Sequence, residues 1–122
     1  MSPQRFVEWF NKLKIAWETK NPQDAADLCA EKVLYYETPF GVPLKTKWEV
    51  LKEWQTVPSS QKDIVFSFEI LNVDKSAGIA HWSVEFTRIP SGKKTFLDGI
   101  FKVILNDDNL ATEFRQWWVT KE

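Results

Sequence analysis

General acid–base chemistry needs a titratable side chain near its working pH and within reach of a substrate. This chain offers few such groups. His81 is its one histidine and Cys29 its one cysteine. An internal disulfide, an HExxH motif and any multi-cysteine or multi-histidine metal site are therefore excluded. Four scattered glycines leave no phosphate-cradling loop, and no cofactor is implied. What remains for proton transfer is Asp98, the Tyr36 phenol and the Lys14 amine, with Glu37, Glu85 and Glu113 as further carboxylates.

The elements that carry these groups decide which can act. Ser2 and Pro3 signal a helix start. Phe6, Phe10, Leu13 and Trp17 then recur at helical steps and form one apolar face. Asn21-Pro22 opens a short second helix, with Ala25, Ala26, Leu28 and Cys29. A first strand is expected from Val33 to Phe40, ending at Pro39. Thr46-Lys47-Trp48-Glu49 has the form of a capping box, and the helix it opens carries Trp48, Leu51 and Trp54 and stops before Pro58. From Ile64 onward the pattern alternates with period two through Ile70, through Trp82-Val84-Phe86, from Lys94 to Leu105, and from Leu110 to Val119. Turns are expected at Pro90-Ser91-Gly92 and Asn106–Asn109. Helices first and hairpins after give an α+β domain with helices on one sheet face.

Period two sorts each strand into an inner and an outer set. The uncharged rows Trp82-Val84-Phe86, Leu97-Gly99-Phe101-Val103-Leu105 and Phe114-Gln116-Trp118 are assigned inward. On the first strand Tyr36 and Thr38 share the inner face, opposite Glu37. The expected ligand pocket is thus Tyr36, Thr38, Trp54, Trp82, Phe101, Phe114, Gln116 and Trp118. Rings with a few placed donors and acceptors suit a small-molecule cavity, and equally a packed core. All four strand carboxylates point away. Asp98 would turn inward only if a β-bulge near Gly99 shifted the register, and would then pair with Tyr36. Lys14 is either a buried base or a lysine snorkelling from an amphipathic helix. His81 alternates with Trp82 and so faces outward.

The outer rows mix Phe96, Ile100, Ile104 and Trp117 with Asp98, Lys102, Glu113 and Arg115. Such a face suggests a homodimer contact through Phe96, Asp98, Ile100, Arg115 and Trp117, with Asp98 and Arg115 as ion-pair partners. The composition is that of an ordinary globular protein, with 43% apolar and 27% charged residues and a net charge of −1. No basic patch points to nucleic acid, and no apolar run is long enough to span a bilayer. The amino-terminal residues lack a signal peptide's apolar core, so a cytoplasmic setting is expected. With seven tryptophans and nine phenylalanines in 122 residues, a few rings dominate the interior of what reads as one domain, 1–122.

Taken in order, several segments resemble the SnoaL-like branch of the superfamily that holds nuclear transport factor two and steroid Δ-isomerase. They are Ala16-Trp17, Asn21-Pro22-Gln23-Asp24, Tyr36-Glu37-Thr38-Pro39-Phe40, Trp54, Trp82, Leu97-Asp98-Gly99-Ile100-Phe101 and Phe114-Arg115-Gln116-Trp117-Trp118. The resemblance implies a cone of about three helices over a curved, mostly antiparallel mixed sheet, usually dimeric, with a deep hydrophobic cavity. It also implies that fold alone leaves activity open, since the superfamily holds isomerases, cyclases, epoxide hydrolases, dehydratases and carriers. Position by position, the steroid-isomerase machinery falls on Lys14, Phe101 and Thr38, where neither a phenylalanine donor nor a threonine base can work. The limonene-type epoxide hydrolase positions fall on Trp82, Val84 and Gln116, and the scytalone-dehydratase type needs cavity histidines. The leading expectation is a domain that binds a small apolar or aromatic molecule. The alternatives are a weak isomerase, cyclase or hydrolase using Asp98, Tyr36 or Lys14, and an interaction domain with a collapsed cavity. An ionisable side chain inside the cavity would favour the catalytic alternative.

Overall fold

A computed structural model describes residues 4–121; the Ser2-Pro3 helix signal lies outside them. Helix α1 (Gln4–Glu18) buries Phe6, Trp9, Phe10, Leu13, Ala16 and Trp17 along one face. Helix α2 (Pro22–Ala26) is capped by Asn21, whose side chain accepts from the Asp24 N–H. After strands β1 (Cys29–Tyr35) and β2 (Leu44–Thr46), Thr46 caps α3 (Lys47–Trp54) by accepting from the Glu49 N–H at 3.1 Å. The Glu49 carboxylate in turn takes the Lys45 N–H at 2.9 Å, which completes the local cap one residue earlier than a regular capping box. A single turn, α4 (Val57–Ser60), precedes the long strands β3 (Gln61–Asp74), β4 (Ala77–Arg88), β5 (Lys94–Leu105) and β6 (Ala111–Lys121).

The strands form one six-stranded sheet in the order β2-β1-β6-β5-β4-β3, with only β1 and β6 parallel. Helices over one face of a curled mixed sheet give the expected α+β architecture. Face assignment on the long strands follows the alternation. Trp82, Val84, Phe86, Phe101, Val103, Leu105 and Phe114 are all buried. The β4–β5 register runs unbroken from Ala77↔Ile104 to Thr87↔Lys94, and β5–β6 is regular from Phe96 to Ile104. No bulge therefore occurs at Gly99, and Asp98 stays on the outer face. Among the described residues no helix is long and apolar enough to cross a membrane.

The first strand departs from its expected bounds. It begins at Cys29 and ends at Tyr35, and its buried positions are Cys29, Val33 and Tyr35. A register shift between Cys29 and Leu34 accommodates the exposed, charged Glu31-Lys32 pair. Tyr35, not Tyr36, turns to the core, in step with Val33 two residues before it. A one-residue change of parity exchanges the two faces.

Candidate functional site

The helices and sheet leave a cavity of about 180 Å³ between α1, the end of β1, α3 and the floor of the sheet. Its rings are Trp17, Tyr35, Trp54, Phe101 and Phe114, and Leu13 and Val57 complete the apolar wall. Trp17 and Trp54 meet edge to face, with centroids 5.4 Å apart and planes at 85°. Tyr35 stacks on Phe114 at 4.7 Å. The indole donors are spent on the wall itself: Trp17 Nε1 donates to Gln61 Oε1 at 2.9 Å, and Trp54 Nε1 to the Tyr35 hydroxyl at 3.2 Å. Burial pushes the Tyr35 phenol far above its ordinary range, so it keeps its proton at all working pH values. It is a hydrogen-bond donor to the cavity and not a base.

Two carboxyls, Glu37 and Glu53, also line the cavity, and among the described residues no lysine or arginine does. Burial, the charge of Glu53 and a hydrogen bond shared with Glu53 together raise the Glu37 carboxyl above the usual range. Glu37 lies just past the end of β1, and β6 fixes its backbone. Trp118 Nε1 donates to the Glu37 carbonyl at 2.9 Å, and Gln116 Nε2 to the Tyr36 carbonyl at 3.1 Å. These side chains continue the β1–β6 contact where the backbone pairing stops.

Of the pocket residues expected from the pattern, Trp54, Phe101, Phe114 and Gln116 line this cavity. Trp82 is buried one layer behind, stacked on Phe101 at 4.5 Å. Trp118 is 40% exposed and serves the loop after β1. Thr38 is exposed on that loop, and Tyr36 lies half-buried with the Arg115 guanidinium 4.1 Å over its ring. Both expectations rested on a strand running to Phe40, and the chain leaves the sheet at Tyr35. Asp98 hydrogen-bonds His81 Nε2 at 3.0 and 3.1 Å on the outer face, while Glu69 sits 3.3 Å from His81 Nδ1. Asp98 and Tyr36 therefore do not meet as an acid–base pair. Lys14 is held by Glu18 and by the Phe66 carbonyl, each at 2.7 Å, and Glu18 also accepts the Phe66 N–H at 2.8 Å. Partial burial alone would raise the Glu18 carboxyl, but its bonds to Lys14 and Phe66 hold it below the usual range. This pair satisfies both backbone groups of Phe66 on the free edge of β3. The residues that alternation missed are Tyr35, Glu37, Glu53, Thr56, Val57 and Gln61; Trp17 and Leu13 were legible as helix-face residues.

Cys29 is buried, and desolvation pushes its thiol up to about 12, so it is an inert core residue. Among the described residues no group of three His, Cys, Asp or Glu side chains is arranged to hold a metal ion.

Helices packed over one face of a curled mixed sheet define the cone-shaped class of nuclear transport factor two-like proteins. Within that class the chain belongs to the SnoaL-like domain family, whose model matches residues 6–114. No curated protein matches it. Among solved structures it is similar to a Bacillus subtilis protein described as a candidate isomerase, at 16% identity and TM-score 0.81, covering 98% of this chain and 90% of that one. It is also similar to a Mycobacterium tuberculosis protein solved in complex with estradiol-17β-hemisuccinate, at 14% identity and TM-score 0.80, covering 95% and 97%. A third similar structure is an epoxide hydrolase/cyclase-like enzyme of pyran ring formation in salinomycin, at 11% identity and TM-score 0.77, covering 95% and 88%. At these identities the likeness is one of fold.

Proposed function

We propose that this protein binds a small, ring-bearing apolar molecule in the cavity beneath α1 and α3. The observation that carries this reading is the cavity itself, about 180 Å³ walled by five aromatic rings, with the Tyr35 O–H as a donor. An apolar cavity of about 150 Å³ suffices to take up benzene, whereas sites for drug-sized ligands run to roughly 300–1,000 Å³. The ligand is therefore a single ring with a short substituent, smaller than the steroid held by the mycobacterial neighbour. Titration with benzyl alcohol is expected to quench the fluorescence of Trp17 and Trp54 and raise the melting temperature. Val57→Phe, which fills the wall from inside, abolishes both effects. Unchanged fluorescence and stability across a panel of such ligands would refute binding.

A second reading is supported by Glu37 and Glu53. A carboxyl with raised pKa beside a second carboxyl can give and take a proton, with Tyr35 holding a substrate oxygen. That suits a weak isomerase, cyclase or hydrolase acting through Glu37, not through Asp98, Tyr36 or Lys14. Turnover that disappears in Glu37→Gln while binding persists is the mark of this reading.

We also propose that the outer face pairs with a second copy of the chain. Phe96, Trp117 and Val119 are 38%, 42% and 71% exposed there, in rows with Ile100, Asp98 and Lys121. The ion pair between Asp98 and Arg115 is not needed for this, because each already has a partner in its own chain, His81 and Glu113. Sedimentation at micromolar concentration is expected to give a dimer, and Trp117→Glu a monomer with the fold intact. A native protein that sediments as a monomer removes the proposal.

A further inference from the structure

The cavity's charge says more about its ligand than its volume does. Among the described residues, Glu37 and Glu53 are the only ionisable side chains on its wall besides the Tyr35 phenol, and both are acids. Like charges held together at the edge of a low-dielectric space repel one another, and an opposite charge between them relieves this. Ion pairs elsewhere on the surface bring lysines to acids, as in Lys47–Asp27 at 2.9 Å and Lys94–Glu85 at 3.1 Å. Among the described residues neither Glu37 nor Glu53 has such a cation. Five of the other lining residues carry aromatic rings, whose negative faces attract cations. Trp17 and Trp54 stand at right angles, and Tyr35 lies with them on the same wall.

We propose that the site selects a small organic cation, a primary or methylated ammonium bearing one ring-sized apolar group. The ammonium lies between the Glu37 and Glu53 carboxylates, and the apolar body rests against Trp17, Tyr35 and Trp54. This rests on the binding reading above and adds the ligand's charge to it. Each part of the wall excludes a different competitor. A neutral ring forgoes the two carboxylates, and a carboxylic acid is repelled by them. A bare metal ion is too strongly hydrated to gain from the rings. Trp118 and Gln116 hold the backbone that carries Glu37, so the acid is placed before the ligand arrives.

Because the free protein keeps Glu37 protonated above the usual carboxylate range, the cation competes with that proton. Affinity for the cation rises with pH through this window and is flat above it. The same sign makes the unliganded fold lose stability as pH rises through the window, and Glu37→Gln removes that loss.

The test compares benzylammonium, benzyl alcohol and benzoate by calorimetry and tryptophan fluorescence at neutral pH and low salt. Benzylammonium is expected to bind at least tenfold more tightly than benzyl alcohol, with benzoate weakest. In the Glu37→Gln, Glu53→Gln double variant, benzylammonium falls to the level of the alcohol, and the alcohol's affinity is unchanged. If the alcohol binds the native protein as tightly as the ammonium, the charge proposal fails and the binding reading stands. Magnesium chloride at millimolar concentration giving the same thermal shift as benzylammonium also overturns it, in favour of an inorganic cation. If none of the three ring compounds binds, both readings fall together.

Discussion

Gly99→Ala is expected to lower the free energy of unfolding by about 3 kcal/mol, the upper part of the range for overpacking, and the melting temperature by about 10 °C. On propensity alone the change would help, since glycine inside a strand is worse than alanine by roughly 0.5–1 kcal/mol. Sterics reverse the sign. A Cβ on Gly99 would overlap the Trp117 carbonyl oxygen and stand 2.9 Å from both the Trp117 carbonyl carbon and the Trp118 Cα. All of these are backbone atoms of the neighbouring strand, so no side chain can swing aside. The glycine therefore marks a close approach of β6 to β5 that any other residue would pry open. Trp118 lies opposite Gly99 and carries the hydrogen bond to the Glu37 carbonyl, so the same variant loosens the cavity rim. Gly92→Ala is the control: nothing lies near its Cβ, and only its φ of +76° resists the change, so its cost stays near 1 kcal/mol. Equal costs at the two positions would mean that backbone conformation, not the strand approach, dominates at Gly99.

How far the sequence could be read follows from which signal governs each region. Deep in the sheet, alternation is imposed by burial of whole rows, and an uncharged row does face inward; Trp82, Phe101 and Phe114 were all legible for that reason. Caps are equally local, and Asn21 and Thr46 hold the N–H groups their positions implied. The cavity rim obeys neither rule. Glu31-Lys32 hid the true start of β1, and with it the inward row of Cys29, Val33 and Tyr35. Had Tyr35 been taken as inward, Glu37 would have followed two residues on. The preference for uncharged inner rows argued against it, because that preference holds for a sealed core and not for a mouth open to water. Glu53 comes from the end of α3, and only the tertiary fold brings it beside Glu37. The consequence for function is direct. Asp98, the carboxyl favoured from sequence, lies on the outer face, while Glu37, assigned away from the cavity, lines it with Glu53, in segments where strand alternation gives no guidance.

Phe101→Ala should be the most damaging change in the chain, with a loss of about 4 kcal/mol, within the range for truncating a buried phenylalanine. Phe101 is 1% exposed and is the point where the sheet's rings converge. Its ring stacks on Trp82 at 4.5 Å, meets Phe114 at 4.7 Å, and lies 6.0 Å from Phe10 and 6.3 Å from Phe66. Truncation therefore strips contacts from α1, β3, β4 and β6 together, beyond the transfer cost of one side chain. Phe101→Leu, which keeps most of the volume, should lose less than half as much. The position also forms part of the cavity wall, so the space vacated joins the existing 180 Å³. Stability and binding then become coupled in a measurable way. A ring compound too large for the native cavity, such as 2-naphthylmethanol, should bind the Phe101→Ala variant and restore part of its stability. At a hundred times its dissociation constant it returns about 2.7 kcal/mol. Chemical denaturation of native protein, Phe101→Leu and Phe101→Ala, each with and without the naphthyl compound, measures both effects. A loss below about 1.5 kcal/mol for Phe101→Ala would show that the rings do not converge on this residue. A full loss with no rescue would show that the vacated space collapses and never joins the cavity.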